Sequence, residues 1–145
     1  MRNLLVTIPI MLFLAASVIA GDIRLEGSDY TTVAYINDNG RIENASFGIL
    51  GYIKDDGSVE DDSYHILGYI DEDGKIEDES FNELYTLSEN GRLTDNSFMK
   101  VAEIQTDGTV ENGHFQVILY ADGTHDNMTE RIALFLVFFS DLLED

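Results

Sequence analysis

Gly40, Gly57, Gly74, Gly91 and Gly108 stand seventeen residues apart without a slip. Tyr30, Phe47, Tyr64, Phe81, Phe98 and Phe115 keep the same interval. So do two aliphatic columns, one at Ile36, Ile53, Ile70, Leu87 and Ile104, the other at Leu25, Ile42, Val59, Ile76, Leu93 and Val110. A period held in four columns identifies a repeat architecture. Seventeen residues are too few for a helix pair with its turns, but they suffice for two strands of about five residues and two tight turns. Each glycine follows Asp or Asn, a strong hairpin signal because glycine takes positive φ without penalty. A two-residue loop at Asn39-Gly40 would set Ile36 against Glu43. A three-residue loop with Gly40 as its bulge residue sets Ile36 against Ile42, Ile53 against Val59, Ile70 against Ile76, Leu87 against Leu93 and Ile104 against Val110. Only the bulged loop keeps the aliphatics on one face, so it is the expected register.

A second turn is expected around Glu43-Asn44-Ala45-Ser46-Phe47 and its copies. Asn or Asp recurs at 44, 61, 78, 95 and 112, and Ser at 46, 63, 80 and 97. These residues close turns through side-chain to backbone hydrogen bonds. Gly51, Gly68, Ala34 and Ala102 keep one strand position small, which implies close packing there. Tyr35, Tyr52, Tyr69 and Tyr120 alternate with the inward aliphatics and form a candidate contact surface. The phase of the repeat is informative too. Arg24-Leu25-Glu26 aligns with the outgoing strand of a hairpin, and Ile118 to Ala121 with an incoming one. The two are halves of one broken unit, and pairing them would close a ring and remove both exposed edges. The expected fold is all-β: a closed or nearly closed radial array of five or so short hairpins, with an apolar C-terminal tail packed on it.

The first twenty residues stand apart. Arg2 precedes an apolar run from Leu4 to Ala16, and Val18-Ile19-Ala20 precedes Gly21. This is the pattern of a secretory signal peptide cleaved after Ala20. The expected organisation is residues 1–20 as signal peptide, 21–128 as hairpin repeat and 129–145 as tail. The chain has no cysteine, so an exported domain of this kind relies on burial without disulfides. Its net charge is −20, one more negative once Arg2 is removed. That balance excludes a phosphate-backbone partner and therefore nucleic acid.

In the tail, Ile132 to Phe139 is an unbroken apolar run. It is too short to span a bilayer as a helix, and too apolar to lie exposed on a soluble protein. The expectation is that it covers the open end or the centre of the array. Membrane contact through it is disfavoured by its acidic flanks.

The unit from Gly51 to Gly68, Gly-Tyr-Ile, Asp-Gly, Val-Glu-Asp, Ser, then Ile-Leu-Gly, resembles that of the five-fold β-flower proteins, small exported bacterial repeat proteins. The likeness runs from about Ile23 to Gly123, and the family's phenylalanine-rich tail is matched by Leu134 to Phe139. The resemblance implies a small flower of hairpins behind a signal peptide and carries no activity with it. Tyr85-Thr86-Leu87 and Ala102-Glu103-Ile104 depart from the Gly-Tyr-Ile form.

Catalytic constellations are hard to find. His65, His114 and His125 occupy no repeat column, and the serines recur as turn residues, whereas a catalytic site needs one asymmetric grouping. Asp55, Asp56, Asp71 and Asp73 are the candidate metal ligands, as loose carboxylate clusters that would take calcium. An EF-hand is excluded: with Gly74 at its sixth position, the first would be Tyr69 and the twelfth Ser80. The chain is therefore expected to be a non-enzymatic exported module of the cell envelope or exterior, without a cofactor unless calcium. It would contact a glycan or protein through Tyr35, Tyr52, Tyr69 and Tyr120. The alternatives are a calcium-stabilised surface module and a small hydrolase.

Overall fold

The computed structural model describes residues 21–144. The proposed signal peptide therefore lies outside the described residues. Twelve strands run β1 (Ile23–Gly27), β2 (Thr32–Ile36), β3 (Arg41–Asn44), β4 (Ile49–Ile53), β5 (Ser58–Asp61), β6 (Ile66–Ile70), β7 (Lys75–Asp78), β8 (Glu83–Leu87), β9 (Arg92–Asp95), β10 (Lys100–Ile104), β11 (Thr109–Asn112) and β12 (Val117–Gly123). A helix, α1 (Met128–Phe139), follows.

The expected register is the observed one. Ile36 pairs with Ile42, Ile53 with Val59, Ile70 with Ile76, Leu87 with Leu93 and Ile104 with Val110. The turn between β2 and β3 has the bulged form: the Gly40 N–H donates to the Asn37 carbonyl, and the Asn37 N–H to the Arg41 carbonyl. Gly40 sits at φ +85°, and a methyl added to it would lie 1.9 Å from the Ile53 carbonyl oxygen. Glycine is thus favoured there by conformation and required by the approach of the next hairpin.

The ring closes. β1 lies between β12 and β2, with Leu25 opposite Ala121 and Arg24 opposite Asp122. The two chain ends complete a sixth hairpin unit, so the sequence-level count of five or so becomes six. Curvature has an identifiable source. Every hairpin closed by the second kind of turn carries a register shift, at β1–β2, β3–β4, β5–β6, β7–β8, β9–β10 and β11–β12. Such bulges bend and twist a sheet, and repeating them around the array brings its edges together.

The apolar tail is a helix in the barrel's lumen. It touches β4 and β10, which stand opposite one another in the ring. Arg131, Ile132, Ala133, Leu134, Phe135 and Leu136 are all buried, so every side of the helix is covered. A helix apolar all round is one that folds into a core. Burying Ile132, Leu134 and Leu136 stabilises the fold by about 1.5–3 kcal/mol each relative to exposure. The small strand column is where the helix seats. A methyl on Gly51 would come within 2.6 Å of the Phe139 ring, and one on Gly68 within 2.5 Å of the Phe138 ring. Arg131 fixes the other end of the helix, donating to the carbonyl oxygens of Asn37 at 2.8 Å and Asp38 at 3.0 Å.

Candidate functional site

Odd and even strand positions divide the wall into two faces. Ile36 and Ala34 point into the lumen, so Tyr35 points out, directly opposite Glu43. The same alternation puts Tyr52 opposite Glu60, Tyr69 opposite Glu77, and Tyr120 opposite Glu26. All four tyrosines are brought to the outer wall.

None of them stands alone. Tyr35 stacks on Phe47, Tyr52 on Tyr64, Tyr69 on Phe81 and Tyr120 on Tyr30, with ring centroids 4.8–5.2 Å apart and planes within 12°. The partner in each stack comes from the aromatic column of the repeat, which also holds Phe98 and Phe115. All six of these residues have positive φ, from 61° to 66°. Their turn explains it. The Phe47 N–H donates to the Asn44 carbonyl and the Asn44 N–H to the Gly48 carbonyl, the same frame as at Gly40. Phe47 occupies the position glycine takes in the other turn. The left-handed conformation costs a side-chain-bearing residue about 1–2 kcal/mol.

The acid column closes these turns. Asn44 Oδ1 accepts from the N–H groups of Ser46 and Gly48, Asp61 Oδ1 from Ser63 and His65, Asp78 Oδ1 from Ser80 and Asn82, and Asp95 Oδ1 from Ser97 and Met99. The backbone N–H of His65 holds the Asp61 carboxyl below the usual aspartate value, and the side-chain amide of Asn82 does so for Asp78. In the stacks, the hydroxyls of Tyr52 and Tyr64 lie 3.4 Å apart, as do those of Tyr30 and Tyr120. Each contact raises one tyrosine, Tyr52 and Tyr120, above its ordinary value.

The belt is exposed. Tyr30, Phe47, Tyr64 and Phe81 are 65–66% accessible, Phe115 72% and Phe98 86%. Positive side chains already lie against it. Lys100 Nζ is 3.7 Å from the Phe115 ring centroid and 3.1 Å from a Glu103 carboxylate oxygen. Lys54 Nζ is 5.6 Å from the Tyr52 centroid and 3.4 Å from Glu60. In the sequence the aromatic column reads as a period marker and not as surface. The signal was present: Phe47 stands three residues after Asn44, as Gly40 stands three after Asn37.

A family model described as 5-fold beta-flower protein matches residues 16–139. The chain belongs to this family. In this β-flower chain five hairpins are continuous and the sixth is assembled from the two ends. No curated protein and no solved structure matches the chain.

The other candidate residues are scattered. Asp55, Asp56, Asp71 and Asp73 lie in two exposed turns. Asp56 Oδ1 accepts from the Ser58 N–H and hydroxyl, and Asp71 Oδ1 from the N–H groups of Asp73 and Lys75. Among the described residues no group of three or more His, Asp or Glu side chains is arranged to hold a metal ion. His65 pairs with Asp61 at 3.2 Å on the surface. His125 borders a cavity of about 580 Å³ lined also by Gly21, Asp38, Gly123, Thr124 and Asp126. Its Nδ1 accepts the Asn127 N–H, and its Nε2 faces Asp38 at 3.5 Å.

Proposed function

We propose that this chain is an exported, non-enzymatic binding module of the cell envelope or exterior, and that its contact face is the outer aromatic belt. One observation carries the reading. Six of the ring's turns place an aromatic at positive φ and leave it mostly exposed, although glycine fills the equivalent position of the other turns without that strain. Stacking of about 0.5–1.5 kcal/mol offsets the cost in four turns. Phe98 has no stacking partner among the described residues, yet it keeps the same conformation. Exposed flat rings suit the face of a sugar or the edge of a protein. Export rests on the signal-peptide pattern of residues 1–20. The non-enzymatic reading is supported by the scatter of the histidines: His65 sits against Asp61 in a surface turn, and the Nδ1 of His125 is taken up by the Asn127 N–H.

Glycan and peptide arrays probed with the purified protein test this. The triple variant Phe47→Gly, Tyr64→Gly, Phe81→Gly keeps the turns and removes three rings. Retention by the unaltered protein and its loss in the triple variant is the expected result. Retention that survives the triple substitution, or none at all, contradicts the proposal.

A further inference from the structure

We infer that the partner of the aromatic belt is a basic polypeptide segment whose lysine and arginine side chains seat on the exposed rings. This rests on the contact-face reading above and narrows it to one chemistry.

The chain's own cations show how a seat works. Lys100 lies over the Phe115 ring and against Glu103, and Lys54 lies near the Tyr52 ring and against Glu60. Each seat is an aromatic face beside a carboxylate, the pairing that holds an ammonium or guanidinium through ring quadrupole and charge together. The repeat reproduces it, because every ladder tyrosine stands opposite a glutamate on the outer wall. Arg24 occupies the seat at Glu26, Arg41 that at Glu43 and Lys54 that at Glu60. Glu77, beside the Tyr69–Phe81 stack, has no cation partner among the described residues. It also faces Glu83 on the next strand, with Lys75 only 4.0 Å from the latter. The Tyr69–Phe81 seat is therefore open, and an arriving cation gains there what Lys54 gains at Tyr52.

Charge selects the partner. A net charge of −20 draws a polycation and repels anionic polymers. A neutral sugar would make no use of the carboxylates that flank each ring. The open seat takes one side chain, and the acidic wall around it attracts the neighbouring positive charges of the same segment. A small amine brings only one.

The test titrates the purified protein with octalysine, octaglutamate and an uncharged chito-oligosaccharide, read by the aromatic resonances of Tyr69 and Phe81. Octalysine is expected to shift those resonances, and Phe81→Gly to weaken its binding about two- to fivefold with no change in net charge. Glu77→Gln should weaken it more than Asp55→Asn, which removes the same charge from an exposed turn. Thermal unfolding confirms that each variant is folded. Equal octalysine affinity in the unaltered protein and Phe81→Gly means attraction by bulk charge alone and overturns the inference, as does the absence of octalysine binding. Ring-dependent binding of the oligosaccharide alone overturns the basic partner but leaves the contact face standing. If no probe depends on the rings, both fall.

Discussion

Two arcs of the ring share one backbone and differ in what they carry. From β12 through β7 the outer wall bears four stacked aromatic pairs. From β8 to β11 the tyrosine column reads Thr86 and Glu103, and Phe98 and Phe115 have no ring to stack on among the described residues. Their φ angles, 61° and 63°, are nevertheless those of the stacked residues. The left-handed aromatic is therefore not a product of stacking. The turn's hydrogen bonds impose it, and the stack is an addition on the outer face. The lumen does not follow that division. Gly51 and Gly68 admit Phe139 and Phe138 on the ladder arc, while on the plain arc the same column reads Tyr85 and then the buried Ala102, and the helix touches both β4 and β10. On β4, helix and ladder press on one strand from opposite sides.

The largest test of this comparison is Gly51→Val. The new side chain meets the Glu60 carbonyl and the Phe139 ring together, so the helix must shift or leave. A loss of about 3 kcal/mol or more is expected in urea unfolding. A neutral result would mean that the helix does not press on β4. Next is a matched pair. Phe98→Gly should stabilise by about 1 kcal/mol through release of the left-handed strain. Phe81→Gly gains the same relief but loses about 0.5–1.5 kcal/mol of stacking. Near-equality of the two, by chemical denaturation, would remove the energetic meaning of the ladder. In the other direction, Thr86→Tyr should build a fifth stack on Phe98. The expected gain is about 0.5–1.5 kcal/mol, seen as a rise of a few degrees in Tm.

The smallest expected effect is on acid stability. Asp61 and Asp78 titrate below the ordinary aspartate value because their carboxylates accept turn hydrogen bonds, from the His65 N–H foremost and from the Asn82 amide respectively. The folded state binds fewer protons than the unfolded one near pH 4, so their contribution is complete above that range. It is lost as the pH falls through their lower folded values. Asn44 and Asn112 make the same turn bonds without a titrating group. Asp61→Asn and Asp78→Asn together should flatten the acid limb of the unfolding profile and leave neutral stability nearly unchanged. An unaltered acid limb would show that these turns carry no part of it.

Much of this molecule is legible in its sequence, for reasons particular residues make clear. Ile53 and Val59 reveal the register because only the bulged loop spares both from water. Leu25 and Ala121 reveal closure because each needs the strand the other end supplies. The sixth unit is harder to count, since its two halves sit at opposite ends of the repeat and no glycine turn marks it. The helix is obscured because Ile132 to Phe139 is apolar on every side and lacks the period that distinguishes helix from strand. The aromatic belt escapes notice for another reason: side-chain-bearing residues are not expected at positive φ, and only the parallel between Asn44–Phe47 and Asn37–Gly40 points to it.

Closure is the claim on which the rest depends, and the absence of cysteine makes it directly testable. Arg24 and Asp122 face each other across the closing seam, 98 positions apart in sequence. Replacing both with cysteine and oxidising the dilute protein should give an intramolecular disulfide in high yield, and a gain of about 2–4 kcal/mol in unfolding. Thiols that stay free, or that link only between chains, would mean that β1 and β12 do not meet and that the ring is open.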